Sequence, residues 1–275
     1  MPRILETFLA GKTSSQACED FLFHDACFVA VVDGATDKTG IRIGGLTGGQ
    51  IVAQTVIGCM SDRIVLPSEA QFSECIAIVT DAVESRLREA GWPQEAPRPA
   101  ACAVVYSASR REVWRVGDCH FRIDGRSHMG GKSTDDILAL KRAQVLTKGL
   151  EQGLEVEDLR VNDIGRAAIF EELAKQHLLA NAETEDGYPV LNGAPVPPRL
   201  REKQVRVLPG SHVVLCSDGF DFPRDTLAET VLRQRRSYET DPLRLGLDGC
   251  RPGTKALSPD AERHDDQCYV SFVTV

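Results

Sequence analysis

The chain has 275 residues, of which 42% are hydrophobic and 26% are charged, as in ordinary soluble globular proteins. Its formal net charge of −8 argues against a nucleic-acid-binding protein, which needs a basic surface to neutralise phosphates. The N-terminus lacks the apolar segment of a secretory signal, and no stretch approaches the roughly 20 apolar residues of a membrane span. We therefore expect no membrane partner.

Nine cysteines are scattered along the chain without a C-x-x-C pair. Four of them, Cys27, Cys102, Cys216 and Cys268, lie in apolar segments. An odd, unpatterned set predicts reduced, buried thiols rather than a disulfide framework or a zinc site. This favours a cytoplasmic protein.

The first notable element is a buried strand that ends in a carboxylate. Five apolar residues, Phe28 to Val32, run directly into Asp33 and Gly34, which predicts a strand followed by a turn. A charge at that point costs free energy unless it is paired, and a metal ion is one such partner. An ordinary Asp-Gly turn is the alternative, because that dipeptide is a common turn former.

Two helices are predicted next. The first starts after the glycines Gly48 and Gly49. In the second, Ser68 and Gln71 have the spacing of a capping box, and Gly91 ends the helix. Its apolar stripe consists of Ile76, Val79, Val83 and Leu87.

Residues 101–107 and 112–116 are strand-like segments joined by a short turn, which predicts a β-hairpin, and residues 121–125 predict a further strand. Residues 133 to about 182 have helical periodicity. The apolar face of the later helix in this block would consist of Ala167, Phe170, Ala174 and Leu178. A loop rich in Pro and Gly follows.

The remaining predicted strands lie at residues 203–210, 212–219 and 265–275. Strands near both ends with helices in blocks between them favour an α+β class over alternating β-α-β units. No linker is evident, so we expect residues 1–275 to form one domain.

Further carboxylates stand at the ends of predicted strands. Asp118 and Asp218 each follow a strand, while Asp265 and Asp266 begin the last one. If the last strand is antiparallel to the others, its start and their ends share one sheet edge. Carboxylates so close must be protonated or bind cations. Oxygen donors without a matched His or Cys set favour Mg²⁺ or Mn²⁺ over zinc.

The order of these motifs resembles that of the metal-dependent protein phosphatases of the type 2C (PPM) family. The motifs span nearly the whole chain, and they are Glu19-Asp20, Asp33-Gly34, Gly117-Asp118, Asp218-Gly219 and Asp265-Asp266. The resemblance implies a β-sandwich of two antiparallel sheets flanked by helix pairs. It also implies that residues from about 133 to 205 form a helical insertion followed by a loop, in the region where the family varies most.

By motif match, the resemblance implies that Asp33 bridges two Mg²⁺ or Mn²⁺ ions and that the carbonyl of Gly34 binds one of them. Asp218 and Asp265 would hold the other ion. Asp33 and Asp218 would therefore be catalytic.

The remaining carboxylates have lesser implied roles. Glu19 and Asp20 would act directly or through coordinated waters, and Asp118 matches the position of a third, weaker metal. Two ions close together lower the pKa of a shared water, so that hydroxide can attack phosphorus in line.

The chain departs from the family at three points. The loop after Gly34 is longer than usual. Ser15 stands where the best-studied members have a phosphate-binding Arg, so another cation would bind phosphate. We expect this cation to be Lys12, Lys38 or Arg42. His120 follows the motif of Asp118 and is a candidate proton donor, although a lone His is more often structural.

The leading hypothesis is a metal-dependent phosphomonoester hydrolase that acts on phosphoserine or phosphothreonine in a protein. A non-catalytic relative that serves as an interaction or regulatory module is one alternative. A phosphatase for a small phosphate ester is another.

Overall fold

The computed structural model describes residues 1–13, 17–35, 39–200 and 204–275. Within these ranges the strands are β1 (Arg3–Ala10), β2 (Asp20–His24), β3 (Phe28–Gly34), β4 (Arg42–Ile43), β5 (Leu46–Thr47), β6 (Ala101–Ser107), β7 (Glu112–Val116), β8 (His120–Ile123), β9 (Arg126–His128), β10 (Gln204–Arg206), β11 (His212–Cys216) and β12 (Gln267–Val273). The α-helices are α1 (Gly48–Ser61), α2 (Phe72–Ala90), α3 (Ser133–Glu151), α4 (Val156–Val161), α5 (Ile164–Lys175) and α6 (Leu227–Thr240).

The strands form two antiparallel five-stranded sheets and one small hairpin. The first sheet has the order β1-β12-β11-β8-β9, and the second has the order β10-β7-β6-β3-β2. Strands β4 and β5 pair only with each other among the described strands. The predicted α+β class with two antiparallel sheets is confirmed.

The two sheets pack face to face, and β3 is buried on both of its faces. Val29 and Val31 belong to the core between the sheets, together with Leu215 and Val270 of the first sheet. The alternating residues of β3 face the other way, toward the helices. A strand covered on both faces needs a continuous apolar run, which explains the sequence from Phe28 to Val32.

Helices cover the outer faces of the sandwich. Helices α1 and α2 pack together on the sheet that contains β3. On the outer face of the other sheet, Leu227 and Val231 of α6 pack against Val214 and Tyr269. Helices α3 and α5 pack against each other. That residues 1–275 form one domain, with about 133–205 as an insertion, remains a prediction.

The predicted start of α2 was wrong. The helix begins after Gln71, whose backbone N–H donates to Oε2 of Glu74 at 2.7 Å. Ser68 lies before this turn and its hydroxyl donates to Glu69 instead. The helix ends as predicted, because Gly91 adopts the left-handed conformation with φ of 74°.

Helix α1 begins two residues earlier than predicted, at Gly48 itself. Thr47 caps it, because its hydroxyl accepts a hydrogen bond from the backbone N–H of Gln50 at 3.1 Å. The first two positions of the helix need glycine, because a side chain at either of them would collide with neighbouring atoms. A Cβ at Gly48 would meet the side chain of Pro99.

The predicted apolar face of α5 was also wrong. Phe170 is 55% exposed and Leu178, which lies beyond the end of the helix, is 67% exposed. Ile169 and Leu173 are buried instead, against Leu138 of α3. Apolar residues occur on both sides of this helix, so periodicity alone fitted either face.

All nine cysteines are free thiols, and eight of them are buried. This burial agrees with the prediction from their scattered, apolar positions. No helix in the described ranges has the length and apolar character needed to cross a membrane.

Candidate metal centre

Three carboxylates from separate strand ends meet at one edge of the sandwich. Asp33 lies near the end of β3, Asp118 follows β7, and Asp218 follows β11. One carboxylate oxygen from each residue lies within 4.8 Å of the others. Since β3 and β7 belong to one sheet and β11 to the other, the cluster exists only because the two sheets pack together.

Asp20 adds a fourth carboxylate beside this cluster. It lies opposite Asp33 in the register of β2 and β3 and is only 2% exposed. Its Oδ2 atom has no hydrogen-bond partner among the described residues. Burial raises the pKa of Asp20 well above its usual value, a hydrogen bond with Ser217 opposes the rise, and the charge of Asp266 adds to it.

Glu19 is held beside the cluster by the start of α1. Its Oε1 atom accepts a hydrogen bond from the hydroxyl of Thr47 at 2.5 Å. Its carbonyl oxygen accepts from the backbone N–H of Gly34 at 3.0 Å. A Cβ at Gly34 would lie 2.6 Å from that carbonyl oxygen and 2.8 Å from the carbonyl oxygen of Gly49, so only glycine fits here.

The electrostatics of the cluster are strongly unfavourable without a cation. Burial raises the pKa of Asp33 well above its usual value, and the charges of Asp20, Asp218 and Asp118 add to the effect. Burial, followed by the charge of Asp118, raises the pKa of Asp218 to about 7. Carboxylates that repel one another in this way are suited to bind a divalent cation.

Asp118 differs from Asp33 and Asp218 because it forms an ion pair with a lysine. Burial opposes its ionisation, but Nζ of Lys132 lies 2.6 Å from its Oδ2 and holds its pKa well below the usual range. Lys132 also lies over the ring of Tyr188, with Nζ 5.1 Å from the centroid.

Asp265 lies close enough to influence the cluster but does not belong to the group of three. Lys12 and Lys255 contact its two oxygens, at 3.1 and 3.2 Å. Burial opposes ionisation, yet these ammonium groups hold the pKa of Asp265 well below the usual range.

Asp266, the neighbouring acid, has a bracing role that the sequence did not reveal. Its Oδ1 accepts from the backbone N–H of Lys12 at 2.7 Å, and its Oδ2 accepts from that of Glu19 at 2.8 Å. It therefore fastens the segment before β2 to the start of β12.

The three residues predicted to bind phosphate lie in different surroundings. Lys12 is close to the cluster, but its ammonium group is paired with Asp265. Arg42 is exposed on the β4–β5 hairpin and donates to the carbonyl of Gly45 at 3.3 Å. Lys38 and the departure at Ser15 lie outside the described residues.

His120 is completely buried, and its environment does not favour proton donation. Its Nδ1 accepts a hydrogen bond from the backbone N–H of Gly130 at 2.9 Å. Burial, reinforced by the charge of Arg251, lowers the pKa of His120 to about 3. An imidazole that stays neutral near pH 7 is a poor general acid. Its catalytic role remains a prediction.

Sequence reasoning missed three basic residues at this edge, Lys132, Arg251 and Lys255. The pair of glycines before Lys132 offered a signal. A Cβ at Gly130 would collide with the carbonyl oxygen of Asp118, so the chain passes directly over that residue. Arg251 lies in a Pro- and Gly-containing loop and carried no comparable signal.

A cavity of about 90 Å³ opens beside the cluster. Asp218 and Asp265 line one part of it, while Arg251 and Lys255 line another. The donor set next to this cavity consists of oxygen atoms, including the buried Oδ2 of Asp20, which has no hydrogen-bond partner in the part of the chain that the structure describes. These residues fit Mg²⁺ or Mn²⁺, which prefer oxygen ligands.

No protein-family model matches the chain, and no curated protein matches it in sequence. Solved structures do match. The catalytic domain of the serine/threonine protein phosphatase PstP in complex with two manganese ions aligns with a TM-score of 0.50 at 16% identity, over 100% of both chains.

Two further solved structures align with TM-scores of 0.47. They are PstP/Ppp of Mycobacterium tuberculosis, at 16% identity over 98% of this chain and 97% of that one, and the PPM phosphatase MsPP of Mycobacterium smegmatis, at 13% identity over 99% and 100%. The alignment with the manganese-bound PstP domain shows that this chain has the type 2C-like fold, which confirms the resemblance at the level of the fold.

Proposed function

We propose that this protein is a metal-dependent phosphomonoester hydrolase that acts on phosphoserine or phosphothreonine in proteins. The observation that supports this best is the approach of Asp33, Asp118 and Asp218 within 4.8 Å at one edge of a type 2C-like sandwich. The solved PstP domain with the same fold is a serine/threonine phosphatase in complex with two manganese ions.

In this proposal Asp33 and the carbonyl of Gly34 would share one ion, and Asp33, Asp218 and Asp265 would hold another. The Oδ2 of Asp20, which no described residue hydrogen-bonds, offers a further oxygen donor. Glu19 would act directly or through a coordinated water. When bound, two Mg²⁺ or Mn²⁺ ions would activate water and neutralise the charge of the phosphoryl group.

The chain's own residues orient these ligands before any ion binds. The hydroxyl of Thr47 orients the carboxylate of Glu19. Asp266 fixes the backbone of Glu19, and Ser217 bonds the carboxylate of Asp20. Such supporting hydrogen bonds set the direction of ligand lone pairs and increase metal affinity.

A small phosphate ester is the second candidate substrate, and the small volume of the cavity, about 90 Å³, favours it. A non-catalytic relative would keep the fold without hydrolysis. We expect no nucleic-acid partner because of the net charge of −8. A cytoplasmic location stays a prediction, and the free, buried thiols support it.

Hydrolysis of p-nitrophenyl phosphate with Mn²⁺, Mg²⁺ or EDTA tests the proposal. We expect activity that needs a divalent ion and is lost in Asp218→Asn. Asp81→Asn is a matched control, because Asp81 is exposed on α2. Phosphopeptides and small phosphate esters, compared by kcat/KM, then separate the two substrate classes. A folded wild type without activity on any of these substrates would favour the non-catalytic relative.

A further inference from the structure

Most of the basic residues around the cavity form ion pairs with carboxylates. Lys12 and Lys255 are paired with Asp265. Deeper in, Arg244 forms two hydrogen bonds with Asp221, at 3.0 and 3.1 Å. Such paired cations have little remaining capacity for an incoming anion.

Arg251 is different, because it lines the same cavity without a carboxylate partner among the described residues. Its polar neighbour is Nε2 of His120, which lies 3.3 Å from Nη1 of Arg251. Since Nδ1 of His120 accepts from Gly130, a neutral imidazole must carry its proton on Nε2. That nitrogen therefore cannot accept a hydrogen bond from the guanidinium group of Arg251.

The loop that carries Arg251 is well anchored on both sides. The backbone N–H of Cys250 donates to the carbonyl of Leu247 at 2.8 Å. On the other side, the N–H of Gly253 donates to the carbonyl of Arg244 at 3.0 Å, and its own carbonyl accepts from Arg142 at 2.9 Å. These hydrogen bonds hold the backbone on both sides of Arg251 in place.

The guanidinium group also lies close to the glycine pair that passes over Asp118. A Cβ built on Gly131 would lie 3.3 Å from Nη2 of Arg251. Arg251 lines the same cavity as Asp218 and Asp265. An anion in this cavity would therefore lie near both Arg251 and the carboxylates Asp218 and Asp265.

We propose that Arg251 binds the phosphoryl oxygens of the substrate, the role for which the sequence suggested Lys12, Lys38 or Arg42. Guanidinium groups suit this task because their planar set of N–H donors matches two oxygens of a phosphate. The inference rests on the proposed phosphatase function and assigns its phosphate site. Arg251 also provides charge to balance the phosphoryl group as it transfers to water.

Binding of inorganic phosphate to the Mn²⁺-loaded protein, measured by isothermal titration calorimetry, tests this assignment directly. We expect Arg251→Ala to weaken phosphate binding by roughly ten- to a hundredfold, because it removes charge-assisted hydrogen bonds. Arg251→Lys should recover only part of the affinity, since an ammonium group lacks the planar fork. Arg86→Ala, on the exposed side of α2, is the control and should bind phosphate as wild type does.

Steady-state kinetics with p-nitrophenyl phosphate provide the second measurement. We expect the KM of Arg251→Ala to rise and its thermal unfolding midpoint to stay near that of wild type. If Arg251→Ala does not unfold cooperatively, Arg251→Lys and Arg251→Gln take its place.

The outcomes separate the two claims. Wild-type hydrolysis together with unchanged phosphate affinity in the folded Arg251 variants would overturn the assignment and leave the phosphatase function standing. Phosphate binding that depends on Arg251 in a protein without hydrolytic activity would support the site and overturn the function. Loss of phosphate binding in the Arg86 control as well would reject a specific role for Arg251.

Discussion

The ammonium group of Lys132 lies 2.6 Å from Oδ2 of Asp118, at the border of the carboxylate cluster. This contact joins the residue just before α3 to the end of β7, and so ties the first helix after β9 to the candidate metal centre. It also places a fixed positive charge among carboxylates that otherwise repel one another.

Replacing Lys132 with Met should destabilise the metal-free protein by about 3 kcal/mol, because it leaves the buried carboxylate of Asp118 without its counter-charge. Chemical denaturation in EDTA measures this change, and added Mn²⁺ should recover part of the loss. Lys175→Met is the control. It removes an exposed ion pair with Glu171 and should leave stability unchanged. Equal behaviour of the two variants would contradict the role of Lys132.

The stability of the metal-free protein should fall as pH rises from about 5 to 7. Burial and neighbouring charges raise the pKa of Asp218 to about 7 and those of Asp33 and Asp20 well above their usual values. The folded protein then keeps protons that the unfolded chain has already lost. Each group that is still protonated in the folded state therefore lowers the free energy of unfolding by up to about 1.4 kcal/mol per pH unit, and for Asp218 this decline ends near pH 7. Asp118 and Asp265 have lowered pKa values, and their stabilisation is lost only at acidic pH.

Thermal unfolding in EDTA at pH 5, 6 and 7 checks this dependence. The midpoint should decrease with pH, and saturating Mn²⁺ should reverse the trend because the ion stabilises the ionised carboxylates. In Asp218→Asn the slope should be smaller. A midpoint that is independent of pH in EDTA would show that the carboxylates do not interact as the structure indicates.

Replacing Gly34 with Ala should be strongly destabilising and should weaken Mn²⁺ binding. The new Cβ would lie 2.6 Å from the carbonyl of Glu19 and 2.8 Å from that of Gly49, so β3 and α1 would have to separate. Gly58→Ala is a matched control within α1, since a Cβ there has nothing within 4 Å. The control should stabilise the protein by about 0.5–1 kcal/mol. Thermal unfolding and Mn²⁺ titration would distinguish the two, and a neutral Gly34→Ala would argue against this close packing.

Asp266→Asn should lower Mn²⁺ affinity even though Asp266 is not among the expected ligands. Its two oxygens accept from the backbone N–H groups of Lys12 and Glu19, and an amide can supply only one acceptor oxygen. We expect a loss of about tenfold, as for other residues that support metal ligands. Asp260→Asn, an exposed site, is the control. Calorimetric titration with Mn²⁺ gives both values, and unchanged affinity would mean that Glu19 needs no such brace.

The strand ends were predictable because they depend on short-range signals. An apolar run that stops at Asp33, and the repeated Asp-Gly at Asp218, mark buried strands and the turns after them. The antiparallel pairing of β11 with β12 then brings Asp265 to the same edge as Asp218. The local sequence pattern and the geometry of an antiparallel sheet were therefore sufficient to predict where these carboxylates lie.

The partners of these carboxylates were not predictable, because they come from distant parts of the chain. Lys132 precedes a helix, Lys255 lies in a loop shortly before β12, and Lys12 lies near the start of the chain. Which lysine pairs with Asp118 and which with Asp265 depends on how the sheets, helices and loops pack. The periodicity of the sequence contains no information about this packing. The reversed face of α5 has the same origin, since packing against α3 decides which apolar side is covered.

The free thiols can be used to measure local opening of the folded structure, because a buried thiol reacts only when the residues around it move apart. A thiol reagent should modify native protein first at Cys27, which is partly exposed, and should reach the buried sulfurs only when the surrounding structure opens. Cys102 and Cys119 lie beside Asp118, so their rate of modification records opening at the candidate metal centre itself. Mass spectrometry of labelled peptides would then map, cysteine by cysteine, which regions a bound ion holds closed.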